Sequence, residues 1–200
     1  MKVLLIIPAY NEEENILKVT QTINEYNKNA NKQLDYIVIN DGSKHNTEKI
    51  LQENNINHIC LVQNLGIGGA VQTGYQYALE NNYDIAIQFD GDGQHDVNYV
   101  EKIYTPIIEG KTDMCIGTRY LDKTSSEFQS TFMRRLGSKI ISFFIKVTCS
   151  QKITDPTSGF RAVNSDIIKE FARRISNRIS RARINSMYVK KRIQSFRGSS

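Results

Sequence analysis

The chain has 200 residues, a formal net charge of +5 and three cysteines. That length predicts one domain, with or without a small appendage, and is enough to bury a sizeable core. No apolar run reaches membrane-spanning length and the first ten residues lack the build of a signal peptide, so we expect neither a transmembrane helix nor a secretory leader. Cys60, Cys115 and Cys149 show no metal-ligand spacing, which predicts ordinary buried thiols in a reducing cytoplasm.

The positive charge is concentrated at one end of the chain. Nine of the 26 Lys and Arg residues lie in residues 173–200, which contain no Asp or Glu. Residues 1–172 therefore carry 17 basic and 21 acidic side chains, a net charge of −4. The basic composition is thus no argument for nucleic-acid binding by the domain, and we expect no specific nucleic-acid partner.

The pattern of residues 1–172 predicts strands that alternate with helices. The first strand is predicted at residues 2–7 and ended by Pro8, and Asn11 is the candidate cap of a helix with glutamates in its first turn. Further strands are predicted at residues 34–39, 59–62, 85–89 and 114–116. Helices are predicted to end near residues 51 and 80, and another covers residues 97–108, where Pro106 bends or shortens its end. This order predicts an α/β fold with a doubly wound, mostly parallel sheet.

A strongly apolar helix is predicted over residues 137–148, with lysines at positions 139 and 146. It fits either a core helix or a surface helix that touches lipid. A polar loop covers residues 155–161, and another element begins at residues 162–163.

The fourth predicted strand ends at two carboxylates one residue apart, Asp90 and Asp92. Parallel α/β sheets bind ligands at the carboxyl ends of their strands. Two carboxylates there, beside glycines that free the backbone, suit a hard divalent cation that holds a diphosphate. Mg²⁺ or Mn²⁺ fits better than zinc because no cysteine lies nearby. The alternative interpretation is a solvated Asp-Gly turn after a strand.

Polar loops follow several of the predicted strands, and together they favour a nucleotide pocket at one sheet edge. The glycines at positions 66, 68 and 69 are only weakly similar to a dinucleotide-binding fingerprint and favour a close approach of helix and loop to that pocket. His45 and His58 are expected at the surface. His95 either orients a phosphate or packs locally.

Six segments, taken together and in order, resemble the family 2 glycosyltransferases with the A-type fold. They are IIPAYNEEENI, VINDGSKHNT, NLGIGGAVQTGYQYA, FDGDGQHD, GTRY and DPTSGFRAV. The resemblance covers residues 1 to about 172 and is to the branch of dolichyl-phosphate mannose synthases and bacterial polyprenyl-phosphate sugar transferases. It implies a glycosyltransferase domain at residues 1–172 with the nucleotide-diphospho-sugar transferase fold, truncated at its C-terminal end.

The resemblance also implies a set of site residues. Those for the nucleotide are Pro8, Ala9, Tyr10, Glu12, Asn40, Asp41, Gly69, Asp90 and Gly91. Asn40 stands where the family often has a second aspartate, so its contact is left open because an amide replaces one acceptor but not the charge. The metal ligands implied by the aspartate motif are Asp90, Asp92 and Gln94. Arg119 is expected to meet phosphate, and Arg134 and Arg135 fit either that role or a solvated helix face.

The implied reaction is a metal-dependent, inverting transfer of a sugar from a UDP- or GDP-linked donor to an acceptor. The favoured acceptor is a polyprenyl phosphate, and a cell-surface polysaccharide is the alternative. Asp155 and Asp92 are the catalytic candidates. Asp155 would act as a base if the acceptor is a sugar hydroxyl, or would position groups if the acceptor is a lipid phosphate that is already ionised. The alternative interpretation of Asp155 is a purely structural one, a helix or turn cap before proline. The expected location is the cytoplasm, at the inner face of the membrane, with peripheral lipid contact.

Two further interpretations stay open or are disfavoured. An inactive nucleotide-sugar-binding remnant is open because the C-terminal end departs from the family. A nucleotidyltransferase is disfavoured because no glycine-rich, lysine-bearing phosphate loop follows the first strand.

Residues 173–200 differ from everything before them, with many Ser, Arg and Asn residues, no acid and poor helical periodicity. Their implied codons, read in a neighbouring frame from Arg174, yield an acidic segment of the Tyr-Pro-Glu-Pro-Glu type with which the family continues. We therefore expect a frameshifted tail, disordered or non-native, and sequencing of the encoding DNA tests this. Apolar surface left uncovered by such a tail would favour a homodimer.

Overall fold

The computed structural model describes residues 1–30, 32–91, 96–117, 158–174 and 193–196. Its strands are β1 Val3–Ala9, β2 Asp35–Asn40, β3 His58–Cys60, β4 Ile85–Gln88, β5 Met114–Gly117, β6 Arg161–Asn164 and β7 Ile193–Phe196. Its helices are α1 Ile16–Asn29, α2 Thr47–Glu53, α3 Gly66–Glu80, α4 Val100–Ile108 and α5 Ser165–Arg174. A single 3-10 turn, Val97–Tyr99, leads into α4.

The described strands form one mixed sheet in the order β3-β2-β1-β4-β6-β5-β7. β1 pairs in parallel with β2 and β4, and β2 pairs in parallel with β3. β6 runs antiparallel to both of its neighbours, β4 and β5. The amino end of β6 therefore lies at the same edge as the carboxyl ends of β1, β2, β4 and β5. The predicted doubly wound, mostly parallel α/β sheet is confirmed.

Apolar cores cover both faces of this sheet. Alternate residues of β1 point to opposite faces, with Leu5 and Ile7 in one core and Leu4 and Ile6 in the other. The first core includes residues of α1 and α4, and the second includes residues of α3 and α5. Because both faces are buried, the central strands appear in the sequence as unbroken apolar runs, as predicted for β4.

The first strand continues through Pro8, so the prediction that Pro8 ends it is wrong. Ile6 O accepts from the Phe89 N–H on the β4 side (2.9 Å), and Ala9 O accepts from the Asp41 N–H on the β2 side (2.8 Å). The backbone of Pro8 therefore faces the β4 side, beyond Gln88, the last residue of β4, which pairs with Ile6. The β1–β4 pairing ends at Ile6 and Gln88, so the missing N–H of Pro8 removes no hydrogen bond from that pairing.

The first helix begins at Ile16, and the prediction of Asn11 as its cap is wrong. Asn11 adopts a left-handed backbone with φ of 57°. Glu12 begins a separate turn, in which its carbonyl accepts from the N–H groups of Asn15 (3.2 Å) and Ile16 (2.9 Å). The glutamates therefore precede the helix, and its first turn has no acidic residue.

Gly74 of α3 lies against Ile6 of β1, where a Cβ would overlap the Ile6 side chain. We expect Gly74→Ala to lower the free energy of unfolding by about 2 kcal/mol, because a buried overlap outweighs the gain in helix propensity. Gly68→Ala in the same helix is the control, because a Cβ there meets nothing within 4 Å. Urea denaturation should find it as stable as the wild type or more so. Equal stability of the two variants would contradict the packing of α3 on β1.

Among the described residues, no helix is long and apolar enough to cross a membrane. The predicted helix at residues 137–148 lies outside them. Of the C-terminal tail, residues 193–196 form β7, which pairs in parallel with β5. The predicted domain boundary and the frameshifted tail stay predictions.

Candidate active site

The carboxyl edge of the sheet gathers the loops that carry the predicted site residues. Tyr10 follows β1, Asp41 follows β2, Asp90 follows β4, and Ser158–Phe160 precede β6. Residues at the ends of neighbouring strands contact one another along this edge.

Asp41 joins three elements at the β2 end of this edge. Its N–H donates to Ala9 O (2.8 Å), and its Oδ1 accepts from the Leu65 N–H just before α3 (2.7 Å). Asp41 is only 3% exposed, whereas Tyr10 is 41% exposed. An exposed aromatic ring thus lies in the loop next to a buried carboxylate, which offers a base both a flat apolar surface and a hydrogen-bond acceptor.

Asn40 directs its side chain into the protein. Its Oδ1 accepts from the Ser43 N–H (3.2 Å), and its Nδ2 donates to Cys60 Sγ (3.4 Å). Burial raises the pKa of the Cys60 thiol, and Glu48 adds to the rise while the hydrogen bond from Asn40 opposes it. Cys60 is therefore a protonated, half-buried thiol, and Cys115 is fully buried. Cys149 lies outside the described residues, and the nucleotide contact of Asn40 stays a prediction.

Two more predicted nucleotide residues have structural partners. Glu12 is half-buried, and its Oε2 accepts from Asn15 Nδ2 (3.1 Å). Gly69 is buried in the first turns of α3, where a Cβ would overlap the side chain of Leu65. A glycine there lets the Leu65 side chain pack close to the helix while the Leu65 N–H donates to Asp41. The predicted approach of this segment to a nucleotide stays a prediction.

The Asp90–Gly91 backbone lies beside the end of β1. A Cβ on Gly91 would lie 3.0 Å from Pro8 O and 3.4 Å from Ile7 Cγ2, so only glycine fits without a shift. Gln88 Nε2 donates to Asp90 Oδ1 at 3.4 Å. The backbone after β4 therefore lies against the end of β1, and the shared role of these segments in one site stays a prediction.

The loop before β6 packs directly on the Asp90 carboxylate. A Cβ on Gly159 would overlap both carboxylate oxygens. Arg161 is 3% exposed, and its Nη2 donates to Ser158 O (2.6 Å). The Gly117 N–H donates to Phe160 O (2.8 Å), which fixes the loop to β5. The sequence predicted this loop for the acceptor side but missed its contact with Asp90 and the burial of Arg161.

The donor atoms predicted around Asp90 suit a hard divalent cation. Asp90, Asp92 and Gln94 offer only carboxylate and amide oxygens, the ligands that Mg²⁺ and Mn²⁺ prefer. Gly159 packs against Asp90, where any larger side chain would displace the carboxylate. Within the described ranges, which omit Asp92 and Gln94, no three His, Cys, Asp or Glu side chains are grouped so that they could hold a metal ion. The residues present thus fit the cation.

Several predicted site residues lie outside the described residues, and their roles stay predictions. They are Asp92, Gln94, His95, Arg119, Arg134, Arg135 and Asp155.

A sheet covered by helices on both faces, with polar side chains at the carboxyl ends of its strands, defines the class of doubly wound α/β proteins, which bind ligands at that edge. Within that class, the chain belongs to glycosyl transferase family 2, whose model matches residues 4–171. This match confirms the resemblance of the sequence and assigns the chain to a family of glycosyltransferases.

Two curated relatives and one solved structure are similar to this chain. The UDP-N-acetylglucosamine–dolichyl-phosphate N-acetylglucosaminyltransferase of Methanococcus voltae is 33% identical over 185 residues, covering 84% of this chain and 71% of the relative. The undecaprenyl-phosphate mannosyltransferase of Micrococcus luteus is 25% identical over 174 residues, covering 84% and 69%.

Among solved structures, glucosyl-3-phosphoglycerate synthase from Mycobacterium tuberculosis, in complex with Mn²⁺, UDP and glucosyl-3-phosphoglycerate, superposes with a TM-score of 0.63 at 18% identity. The match covers 83% of this chain but only 57% of that one. At this identity the likeness shows the fold alone.

Proposed function

We propose that this chain transfers a sugar from a nucleoside diphosphate sugar to a polyprenyl phosphate. The observation that carries the proposal is the continuous set of contacts along the sheet edge, from Asp41 through the end of β1 to Asp90 and Gly159. We assign nucleoside, diphosphate and acceptor to successive positions along this edge. The lipid phosphate acceptors in the names of the relatives support the choice of acceptor.

The nucleoside would bind at the β1–β2 end of the edge. Tyr10 would supply the ring surface and Asp41 an acceptor, with Glu12 close to the ribose. The other residues that we assign to this end are Pro8, Ala9, Asn40 and Gly69. The diphosphate would lie near Gly91, whose missing side chain lets the backbone after β4 pack against Pro8 at the end of β1.

The diphosphate end would hold the cation and the phosphate-binding arginines. We assign Asp90, Asp92 and Gln94 as ligands of Mg²⁺ or Mn²⁺, and Arg119, Arg134 and Arg135 to phosphate oxygens. When bound, the cation supplies a Lewis acid that neutralises charge on the leaving diphosphate. Asp90 is held for this task by the Gln88 amide and by its packing on Gly159.

A phosphate oxygen of the acceptor would attack the anomeric carbon while the bond from that carbon to the diphosphate oxygen breaks. A single displacement inverts the anomeric configuration and releases the nucleoside diphosphate. A phosphate monoester has a second pKa of about 6, so the acceptor is largely ionised at neutral pH and needs no base. Asp155 would then position groups, whereas with a polysaccharide hydroxyl as acceptor it would remove the proton.

An inactive nucleotide-sugar-binding remnant is the second candidate. It is favoured by the atypical composition of residues 173–200, which hold nine basic side chains and no acidic one. The C-terminal part of the acceptor site would then be missing. We also propose that the protein works in the cytoplasm at the inner face of the membrane, and that apolar surface beside the tail favours a homodimer.

A transfer assay tests the proposal. Purified protein with Mn²⁺ is incubated with labelled UDP- or GDP-linked sugars and with polyprenyl phosphate in detergent, a polysaccharide or no acceptor. We expect label in the lipid fraction for one donor, with inverted configuration by NMR. Label only in the polysaccharide would favour the alternative acceptor. Nucleotide binding without transfer to any acceptor would identify the remnant.

A further inference from the structure

Three hydrogen bonds join the loop after β1 to the loop after β2. The Asn11 N–H donates to Ser43 Oγ (3.0 Å), and the Lys44 N–H donates back to Asn11 Oδ1 (2.9 Å). Farther along, the Asn46 N–H donates to Glu13 Oε2 (3.0 Å). We call these three bonds the loop clasp. Each pairs a side chain of one loop with a backbone group of the other, so the clasp fixes the backbones of both loops together.

The backbone conformation on each side of the clasp is set by a residue that tolerates a positive φ. Asn11 has φ of 57°, a left-handed conformation that asparagine adopts more readily than most residues. Gly42 has φ of 64°, and a Cβ there would lie 2.7 Å from the backbone of residues 63 and 64. The backbone of Ser43 is also fixed to β2, because its N–H donates to Asn40 Oδ1 (3.2 Å). The clasp is therefore built on a defined turn in each loop.

The clasp lies directly beside the two residues assigned to the nucleoside. Tyr10 precedes Asn11, and Asp41 lies two positions before Ser43. The β1 and β2 strands pair in register up to Ala9 and Asn40, and Asp41 is held by its N–H bond to Ala9 O. Beyond these positions, the clasp joins the backbone that follows Tyr10 to the backbone that follows Asp41.

We propose that Asn11 and Ser43 are positioning residues that hold Tyr10 and Asp41 at a fixed spacing before the nucleoside binds. This inference rests on the proposed function, which assigns those two side chains to the nucleoside. A nucleoside site whose side chains are already in place binds its ligand more tightly, because less conformational entropy is lost on binding. Neither Asn11 nor Ser43 has to touch the ligand. The sequence signal for Asn11 was interpreted as a helix cap, so this role was missed.

The test combines matched variants. Asn11→Gly keeps the left-handed backbone and removes the acceptor for Lys44, and Ser43→Ala removes the acceptor for Asn11. Ser43→Thr keeps a hydroxyl and is the rescue variant. Asn82→Gly is the control, because Asn82 has the same backbone (φ 54°) between α3 and β4, at the opposite edge of the sheet.

We expect Asn11→Gly and Ser43→Ala each to weaken UDP or GDP binding in calorimetry by about fivefold, the effect of losing one hydrogen bond. The KM for the sugar donor should rise by a similar factor with kcat little changed, because the Asp90 end is untouched. Ser43→Thr and Asn82→Gly should behave as the wild type. Amide hydrogen exchange should rise at Lys44 in Asn11→Gly and at Asn11 in Ser43→Ala.

Wild-type affinity in both Asn11→Gly and Ser43→Ala would overturn the proposal, as would unchanged exchange at Lys44 and Asn11. If the wild-type protein binds neither nucleotide while exchange rises as expected, the clasp exists but its nucleotide role is refuted. That outcome counts against the proposed function itself, and the exchange data distinguish it from failure of the clasp.

Discussion

Replacing Asp90 with asparagine is expected to lower sugar transfer by about a thousandfold, because loss of the carboxylate removes several kcal/mol of charge stabilisation at the leaving diphosphate. The amide keeps the size of the side chain and its place beside Gly159 and Gln88. The fold should therefore survive, and circular dichroism and the unfolding midpoint should stay close to those of the wild type. Turnover is measured over a range of Mn²⁺ concentrations, because weakened metal binding is partly restored at high metal.

Asp84→Asn is the matched control for this variant. Asp84 precedes β4, at the other end of the same strand, and its Oδ2 accepts from the Lys2 N–H (2.7 Å). It should lose a little stability and no activity. If Asp90→Asn transfers sugar at the wild-type rate at every metal concentration, the assignment of Asp90 as a ligand is wrong.

Replacing Gly159 with alanine is expected to cost about a hundredfold in turnover, the usual effect of moving a catalytic group by about 1 Å. The new methyl group would overlap both oxygens of Asp90, so either the carboxylate or the Ser158–Phe160 loop must move. The same overlap should lower the free energy of unfolding by about 2 kcal/mol. Activity assays and urea denaturation measure the two effects.

A second substitution tests whether Asp90 is the cause. In Gly159→Ala combined with Asp90→Ala the colliding atoms are gone, so most of the lost stability should return while activity stays low. If the stability losses of the two substitutions add in the double variant, the alanine at position 159 clashes with a group other than Asp90. The contact between Gly159 and Asp90 would then not explain the loss of turnover.

Much of the fold follows from local pattern. The alternation of apolar runs with helical periods predicted five strands and the helices between them, because burial on both faces of a sheet requires runs such as residues 85–89. Pro8 and Asn11 were misjudged since their conformations depend on neighbours distant in sequence. Whether Pro8 can lie inside a strand depends on where β4 ends, and Asn11 turns toward Ser43 instead of capping α1. The direction of β6 could not be predicted from residues 162–163 either.

In the candidate site, too, local sequence features could be predicted, whereas contacts between residues distant in sequence could not. The position of Asp90 and Gly91 after β4 could be predicted, because an apolar run that ends in Asp-Gly indicates a buried strand followed by a turn. The packing of Gly159 on Asp90 joins residues about 70 positions apart, and no local pattern reports such a contact. The inward direction of the Asn40 amide was likewise set in part by Cys60, which lies on the neighbouring strand β3.

We propose that one sheet edge binds a nucleoside diphosphate through a cation held at Asp90. Calorimetric titration of UDP and of GDP into the protein, with and without Mn²⁺, tests this for the wild type and Asp90→Asn. We expect one nucleotide to bind the wild type at least about tenfold more tightly with Mn²⁺, and Asp90→Asn to lose this gain. Binding that ignores both Mn²⁺ and the substitution, or no binding of either nucleotide, would contradict it.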